Sequence, residues 1–379
     1  MIPPPALRGT ALAGLTLLLV WAPAAADGIP YFARRYGVAC SQCHVAPPRL
    51  NATGEAFVAR GYELPELRAR RTWPLAVWAT ARADALPGVA DVRGYGNRVE
   101  VISGGRISPR LWYFVEWRAV SLETRSDGSL RDRSGRFEDL FVTAALGRAE
   151  LTIGQFRQVG QVDVSRRIGL SEPLLLSASL PGTGGGSARE ISLRGFAPAG
   201  RSPAARLGWT AAPAAGWRWT TSAAVPLPGE LSLPLTREAR AEASNELEWA
   251  PKGVVLESFI RRGLFSVGGH AFYDHGGRWL AAGLATGAQG PFHWTVGAGA
   301  ARSAGVTRGR WSLEGEWFPW WPLGAGVRVE GQGADGLPPA VLTYVNGHLP
   351  GTSYTVRLTV ERRIQRGRNA TFVEFGTVF

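Results

Sequence analysis

Between Trp73 and Phe379, apolar and polar residues alternate with a period of two. The alternation comes in short segments, recurring roughly every 15–20 residues and separated by Gly, Pro, Asn and Asp, which is the signature of strands joined by turns. Tyr354, Val356, Leu358 and Val360 alternate with Thr355, Arg357, Thr359 and Glu361, and Trp311, Leu313, Gly315 and Trp317 with Arg310, Ser312, Glu314 and Glu316. Trp217 and Trp219 flank Arg218, and Val327 and Val329 flank Arg328. No long stretch carries a helical period, so this part of the chain is all-β.

A soluble sandwich alternates in the same way, with its apolar face inward. Three features favour a transmembrane antiparallel barrel. The polar partners carry both signs of charge, as a wet lumen does, and the apolar faces are rich in Trp, as membrane-interface girdles are. The chain holds 15 Trp and 49 Gly, many for a sandwich. It also ends in an alternating strand, Thr371–Phe379, whose terminal Phe resembles the assembly signal of bacterial outer-membrane barrels. Roughly 16 to 18 candidate strands are counted, and an even number is required of a single-chain bacterial barrel. Gln158–Gly186, with Arg166, Arg167, Pro173 and Gly184–Gly186, interrupts the pattern and reads as a long loop. Its two arginines read as loop or lumen charge.

The first residues differ. Arg8, an apolar run from Ala11 to Trp21 and the small residues Ala24–Ala26 form the charged start, apolar core and exit of a secretory signal peptide, so residues 1–26 are set apart from the fold. The run is too short to span a bilayer as a helix, which takes about 20 apolar residues. The mature chain then begins near Asp27, outside the cytoplasm. With 42 Lys+Arg against 30 Asp+Glu the formal charge is +12. Almost all of that is scattered Arg, with Lys252 the sole lysine, so the charge reads as solvated faces or a charged lumen and not as a nucleic-acid footprint.

Residues 27–72 hold the chemistry. The 2 cysteines of the chain, Cys40 and Cys43, are followed at once by His44. Two thioethers to haem vinyl groups need thiols a short turn apart, and the adjacent imidazole then reaches the iron, so C-x-x-C-H reads as c-type haem attachment. A redox dithiol, a disulfide or half of a zinc site are the competing readings; zinc needs two more ligands, and there is no second cysteine pair. Asn51 is placed to cap a short helix running to Ala59, which sets Phe57 and Val58 either against the haem ring or in the core of a small domain.

Phe32-Ala33-Arg34-Arg35-Tyr36-Gly37-Val38 before Cys40, and Leu50-Asn51, Gly54, Phe57 and Gly61-Tyr62 after His44, resemble the haem segment of the fused monohaem cytochrome–porins, outer-membrane proteins associated with extracellular iron(II) oxidation. Residues 30–62 carry the match; Pro47 departs from it, standing where an aromatic residue is expected. The resemblance implies 16 strands and iron(II) as donor; the motif gives one covalent haem c, from which a periplasmic c-type cytochrome or another electron acceptor takes the electron. A stretch like Ile153-Gly154-Gln155-Phe156 precedes the corresponding loop in similar proteins.

The sixth haem ligand is constrained by a count. Met1 is the 1 methionine and leaves with the signal, so a His/Met haem is excluded. His270, His275, His293 and His348 remain; otherwise the site is open or holds water. Counting back from a periplasmic C-terminus places turns near Arg363–Asn369 outside, Asn346–Gly351 inside, Gly331–Pro339 outside, Trp320–Pro322 inside, Ser303–Arg308 outside and Gln289–Pro291 inside. His293 then lies just past an inside turn, with Thr295 and Gly297 on the lumen face and Trp294, Val296 and Ala298 on the lipid face. His270 faces the lumen nearer mid-height, opposite Val267, Ala271 and Tyr273. His293 is therefore the first candidate distal ligand and His270 the second.

No Ser/His/Asp grouping, nucleotide loop or paired carboxylate site stands out, and Glu314 and Glu316 read as ordinary lumen carboxylates rather than a metal site. The leading expectation is an electron-transfer protein, of the iron(II):cytochrome oxidoreductase kind if it counts as an enzyme. The alternatives are a porin-type solute channel with a haem-bearing plug or redox gate, and a soluble periplasmic haem protein. Cys40→Ala together with Cys43→Ala abolishes haem staining on a denaturing gel, because thioethers survive unfolding and axial bonds do not. Staining that persists in the double variant overturns the attachment.

Overall fold

The computed structural model describes residues 30–46, 49–86, 93–124, 129–159, 168–170, 174–175, 201–227, 231–243, 253–303, 305–320, 323–333, 339–350, 355–365 and 369–378. Residues 1–26, expected to be a signal peptide, lie outside them, as do Pro47, Arg166, Arg167, Gly184–Gly186, Lys252 and Phe379.

The N-terminal segment holds α1 (Pro30–Tyr36), a 3₁₀ turn (Cys40–Gln42), β1 (His44–Ala46), β2 (Arg49–Leu50) and α2 (Ala52–Ala59). The antiparallel pairing of β1 with β2 adds a small ribbon to a segment expected to be mostly helical. Then come β3 (Ala76–Ala85), β4 (Arg93–Ser108), β5 (Leu111–Thr124), the short β6 (Leu130–Asp132), β7 (Arg136–Leu146), β8 (Ala149–Arg157), β9 (Arg201–Ala211) and β10 (Trp217–Pro226). After α2 the next helix is α3 (Arg237–Ala243), followed by β11 (Gly253–Arg262), β12 (Phe265–Asp274), β13 (Trp279–Gln289), β14 (Phe292–Ser303) and β15 (Val306–Trp320). The last four strands are β16 (Leu323–Gln332), β17 (Ala340–Pro350), β18 (Thr355–Ile364) and β19 (Ala370–Val378).

Each long strand pairs antiparallel with its neighbours, and β19 closes on β3 from Thr371↔Ala85 to Val378↔Trp78. β6 is a flap on β5, which also pairs with β7; without it the described residues form a closed barrel of 16 strands. Closure leaves no strand edge, so the ladders pair the backbone groups that lipid cannot. At one end the strands are joined by two-residue turns, such as 109–110, 147–148, 263–264 and 290–291; at the other lie the long connections 158–200 and 227–252.

The expected connections recur at 290–291, 321–322, 333–339 and 365–369, and the Ser303–Arg308 turn shortens to 304–305. One moves: β17 runs on to Pro350, so the turn expected at Asn346–Gly351 falls at 351–354. Asn346 and His348 have polar side chains on the buried parity of β17, and their alternation continues the strand where polarity had been read as a turn.

Burial is inverted relative to a soluble sandwich. On β15, Leu313 is 55% exposed while Glu314 beside it is 2% exposed. Apolar residues outside and charges inside are what a barrel in lipid requires. The charges are satisfied by one another. Glu374 meets Arg357 at 3.3 Å and Arg98 at 3.4 Å; Glu100 meets Arg98 at 3.4 Å and Arg118 at 2.6 Å. Glu138 continues the chain, 2.9 Å from both Arg118 and Arg136, and Glu123 lies 3.1 Å from Arg136. This alternating ladder draws its residues from β18, β19, β4, β5 and β7 and spans β3, which lies between β19 and β4.

The opposite wall departs from the polar lumen read in the sequence. Val255, Phe259, Phe272, Leu280 and Leu284 form a buried apolar cluster there, and Val159 and Leu175 join it. Part of the long β8–β9 connection therefore turns into the barrel. Leu170 N donates to Glu361 at 2.6 Å, Leu174 N donates to Glu330 at 2.9 Å, and Arg310 donates to the Leu174 carbonyl at 3.2 Å.

Two outcomes check this architecture. Unboiled and boiled samples migrate differently on a detergent gel, because a closed barrel resists the detergent. Glu100→Ala, which leaves Arg98 and Arg118 without their shared carboxylate, lowers stability by about 3 kcal/mol, read as a shift in the urea midpoint of that migration change.

Candidate functional site

The thiol-bearing turn is built by its neighbours. Cys43 N donates to the Cys40 carbonyl at 2.9 Å, closing the 3₁₀ turn. Asn51 then holds it: its backbone N donates to the Cys43 carbonyl at 2.9 Å and its amide donates to the Ser41 and Gln42 carbonyls, each at 3.1 Å. The same side chain accepts from Gly54 N at 3.0 Å, capping α2, so the helix expected from Asn51 to Ala59 forms with those bounds. Gly54 lets the helix lie against the turn, for a Cβ there would sit 2.2 Å from the Cys43 oxygen. The spacing C-x₇-N-x₂-G from Cys43 is thus a clamp.

Cys40 and Cys43 form no disulfide with each other; Cys40 is buried and Cys43 half-buried, with burial pushing the Cys43 thiol up. His44 follows in β1. An aromatic cluster of Tyr31, Phe32, Tyr36, Phe57 and Tyr62 lies in the same segment, with Val58 packed on it. Among the described residues no group of three or more His, Cys, Asp or Glu is placed to hold a metal ion. Two thiols on one clamped turn with an adjacent imidazole fit a covalently attached haem.

The segment is wedged into the two-residue-turn end of the barrel. On one side Gly61 and Tyr62 turn the chain with φ of +68° and +66°. A left-handed Tyr costs about 1 kcal/mol or more, and such strain persists only where packing enforces it. Here the ring stacks between Phe32 and Phe114, with centroids 5.3 Å away on each side. Gly61 lies under Trp112, leaving no room for a Cβ. Arg106 fastens the same side, donating to the Arg60 carbonyl at 3.2 Å and pairing with Glu63 at 3.0 Å. On the other side Ala46 is buried with Ile168, Phe318 and Tyr344, so the inward-turned connection and the N-terminal segment meet in the lumen.

Arg49 makes a polar contact on that side. Its Nε lies 3.4 Å from His293 Nδ1 and 3.7 Å from Glu316. His293 is buried on the lumen face of β14, its ring edge-on to Phe318 at 5.0 Å, while Trp294 and Val296 face outward. His270 is also buried and lumen-facing, but higher on β12, against the backbone of Leu175 without a well-formed hydrogen bond. His275 is exposed in the turn at the far end. His348 is buried on β17 near the same mouth as His293, four residues beyond Tyr344. Placing a turn at Asn346–Gly351 had hidden it.

No protein-family model matches the chain, and no curated protein sequence is significantly similar to it. Solved structures do match. Salmonella typhi OmpF in complex with daunomycin aligns with a TM-score of 0.54 at 10% identity, covering 80% of this chain and 97% of that one. The fold is that of the outer-membrane porins. Two other porins align less closely: an anion-selective porin from Comamonas acidovorans has a TM-score of 0.48 at 11% identity, covering 80% and 98%. Pseudomonas putida OprB has 0.45 at 10%, covering 86% and 96%. Within this porin-like barrel, the N-terminal segment occupies the mouth.

Gly54→Val drives a side chain into the Cys43 carbonyl. Haem staining is lost in that variant while the boiled-versus-unboiled shift of the barrel persists, because the clamp and the barrel are separate structures. Asn51→Ala, which removes the cap and both amide bonds to the turn, destabilises the segment by about 1–2 kcal/mol, read as faster protease cleavage before Ala76.

Proposed function

We propose that this chain is an outer-membrane electron-transfer protein carrying one covalent c-type haem on Cys40 and Cys43, with His44 as the proximal ligand. The carrying observation is the wedging of the segment that bears the clamped C-x-x-C-H turn between two walls of a porin-like lumen. Bound there, the haem supplies a one-electron couple at the junction of lumen and periplasm. The short turns mark the periplasmic end, since outer-membrane barrels have short periplasmic turns and longer outer loops. A donor reaching the site through the lumen then stands on the opposite side from a periplasmic c-type cytochrome. Iron(II) is the donor that the resemblance implies, and the secretory signal at 1–26 provides the route to the outer membrane.

The chain's own residues do the holding. Asn51 and Gly54 keep the thiols on one turn, the Phe32–Tyr62–Phe114 stack fixes the segment to β5, and Arg49 ties it to Glu316 and His293. His293 is the first distal candidate because Arg49 already brings the segment against it. His348 takes second place from His270, which is separated from the mouth by Leu175. Axial ligand identity sets the potential.

The porin fold favours a second reading, a solute channel in which the same segment is a plug or redox gate. Bilayer conductance separates the two. An electron conduit shows little conductance that does not change between dithionite-reduced and air-oxidised protein, whereas a redox gate shows conductance that does. In absorbance, His293→Ala converts a low-spin haem spectrum to high-spin. A wild type that is already high-spin, or no change in either the His293 or the His348 variant, removes the distal assignment.

A further inference from the structure

The face of the N-terminal segment turned away from the barrel is basic. Gly37, Ala39, Ser41 and Gln42, around the thiol-bearing turn, are exposed, and so is the strap of residues 65–71. The strap is fastened to that face: Arg70 N donates to the Arg35 carbonyl at 2.7 Å. The Arg70 guanidinium lies over Gly37, 3.0 Å from where a Cβ would be. Three of the strap's residues are Arg68, Arg70 and Arg71, all exposed.

The carboxylates nearby are already taken. Glu66 pairs with Arg60 at 3.0 Å and Glu63 with Arg106 at 3.0 Å. Among the described residues, Arg68, Arg70 and Arg71 meet no carboxylate. Like charges held together in water carry a standing repulsion, which an anionic partner relieves. Guanidinium is weakly hydrated and pairs bidentately with carboxylates, so arginine suits a protein partner's Asp and Glu.

We propose that this strap, with residues 37–42, is the docking surface for a small acidic electron-carrier protein. The inference rests on the electron-transfer reading above and names the chemistry of its acceptor. A transient redox contact needs only a small interface, and charge supplies its encounter rate. Lipid phosphate is the other anion at a membrane. Arg110 and Arg148, exposed in the β4–β5 and β7–β8 turns, stand on the barrel rim where headgroups reach. The strap instead belongs to the segment whose opposite face packs on Ile102, Trp112 and Phe114, so it covers the mouth and not the perimeter.

The test uses the full chain in zwitterionic nanodiscs, an acidic plant-type ferredoxin as probe and a basic mitochondrial-type cytochrome c as control. Affinity is measured at low and high salt. The ferredoxin binds at low salt, binding weakens as salt rises, and the basic control does not bind. The triple variant Arg68→Gln, Arg70→Gln, Arg71→Gln weakens ferredoxin binding about tenfold, and the single reversal Arg71→Glu weakens it in the same direction. Arg110→Gln with Arg148→Gln leaves it unchanged. Each variant is confirmed folded by its unboiled gel mobility for the barrel and by wild-type resistance to protease before Ala76 for the segment.

The docking surface is overturned if ferredoxin fails to bind at low salt, or if the triple variant binds it as wild type does. It is also overturned if the triple variant loses only its association with vesicles containing anionic lipid. The haem reading fails separately, through absent staining on the denaturing gel.

Discussion

Everything in this molecule depends on the seam between β19 and β3. Lipid offers no hydrogen bond to a peptide group, so a sheet in a membrane has to close on itself, and here the last strand meets the first barrel strand over Thr371–Val378. Closure fixes an inside and an outside on every strand at once. The side chains sort accordingly, with Trp311, Leu313 and Trp317 outward and Arg310, Glu314 and Glu316 inward. Charges crowded in a lumen then need one another, which is why Arg and Glu drawn from five strands alternate from Arg357 to Glu123.

Closure also creates a mouth, and the N-terminal segment is shaped to fill it. The seam places both ends of the barrel sequence at the short-turn end, so the residues just before β3 emerge beside the lumen. Tyr62, held in a left-handed conformation by the rings on either side, and Arg49, reaching Glu316 and His293, grip opposite walls. A segment this small cannot bury a core of its own, and Phe32 and Tyr62 complete theirs with Trp112, Phe114 and Ile102 of the wall. The thiol-bearing turn is thereby given a fixed position relative to the lumen. Reactivity follows from that placement: one face of the segment looks into the barrel and the other, carrying the arginine strap, looks out of it.

The inward-turned piece of the β8–β9 connection is the third consequence. An apolar wall inside a wet barrel has to be covered, and Val159 and Leu175 cover it, while Glu361 and Glu330 accept the backbone N–H groups that the chain brings along. Ile168 then meets Ala46 of the N-terminal segment. The barrel wall, the connection and the segment form one packed unit within the lumen.

Local features were legible in the sequence because they rest on local rules. The period of two gave the strands and their faces, including the lumen side of His293 and His270. Asn51 marked a capped helix with its end at Ala59. Misreadings arose where polarity has two meanings. Asn346 and His348 look like a turn but are the lumen face of a strand, and a lumen expected to be polar carries a covered apolar patch of Phe259, Phe272 and Leu284. Only the closed barrel decides such cases, since inside and outside exist only after the seam has formed. It also brings together Arg49 and His293, 244 residues apart, because no rule of spacing reaches across a fold.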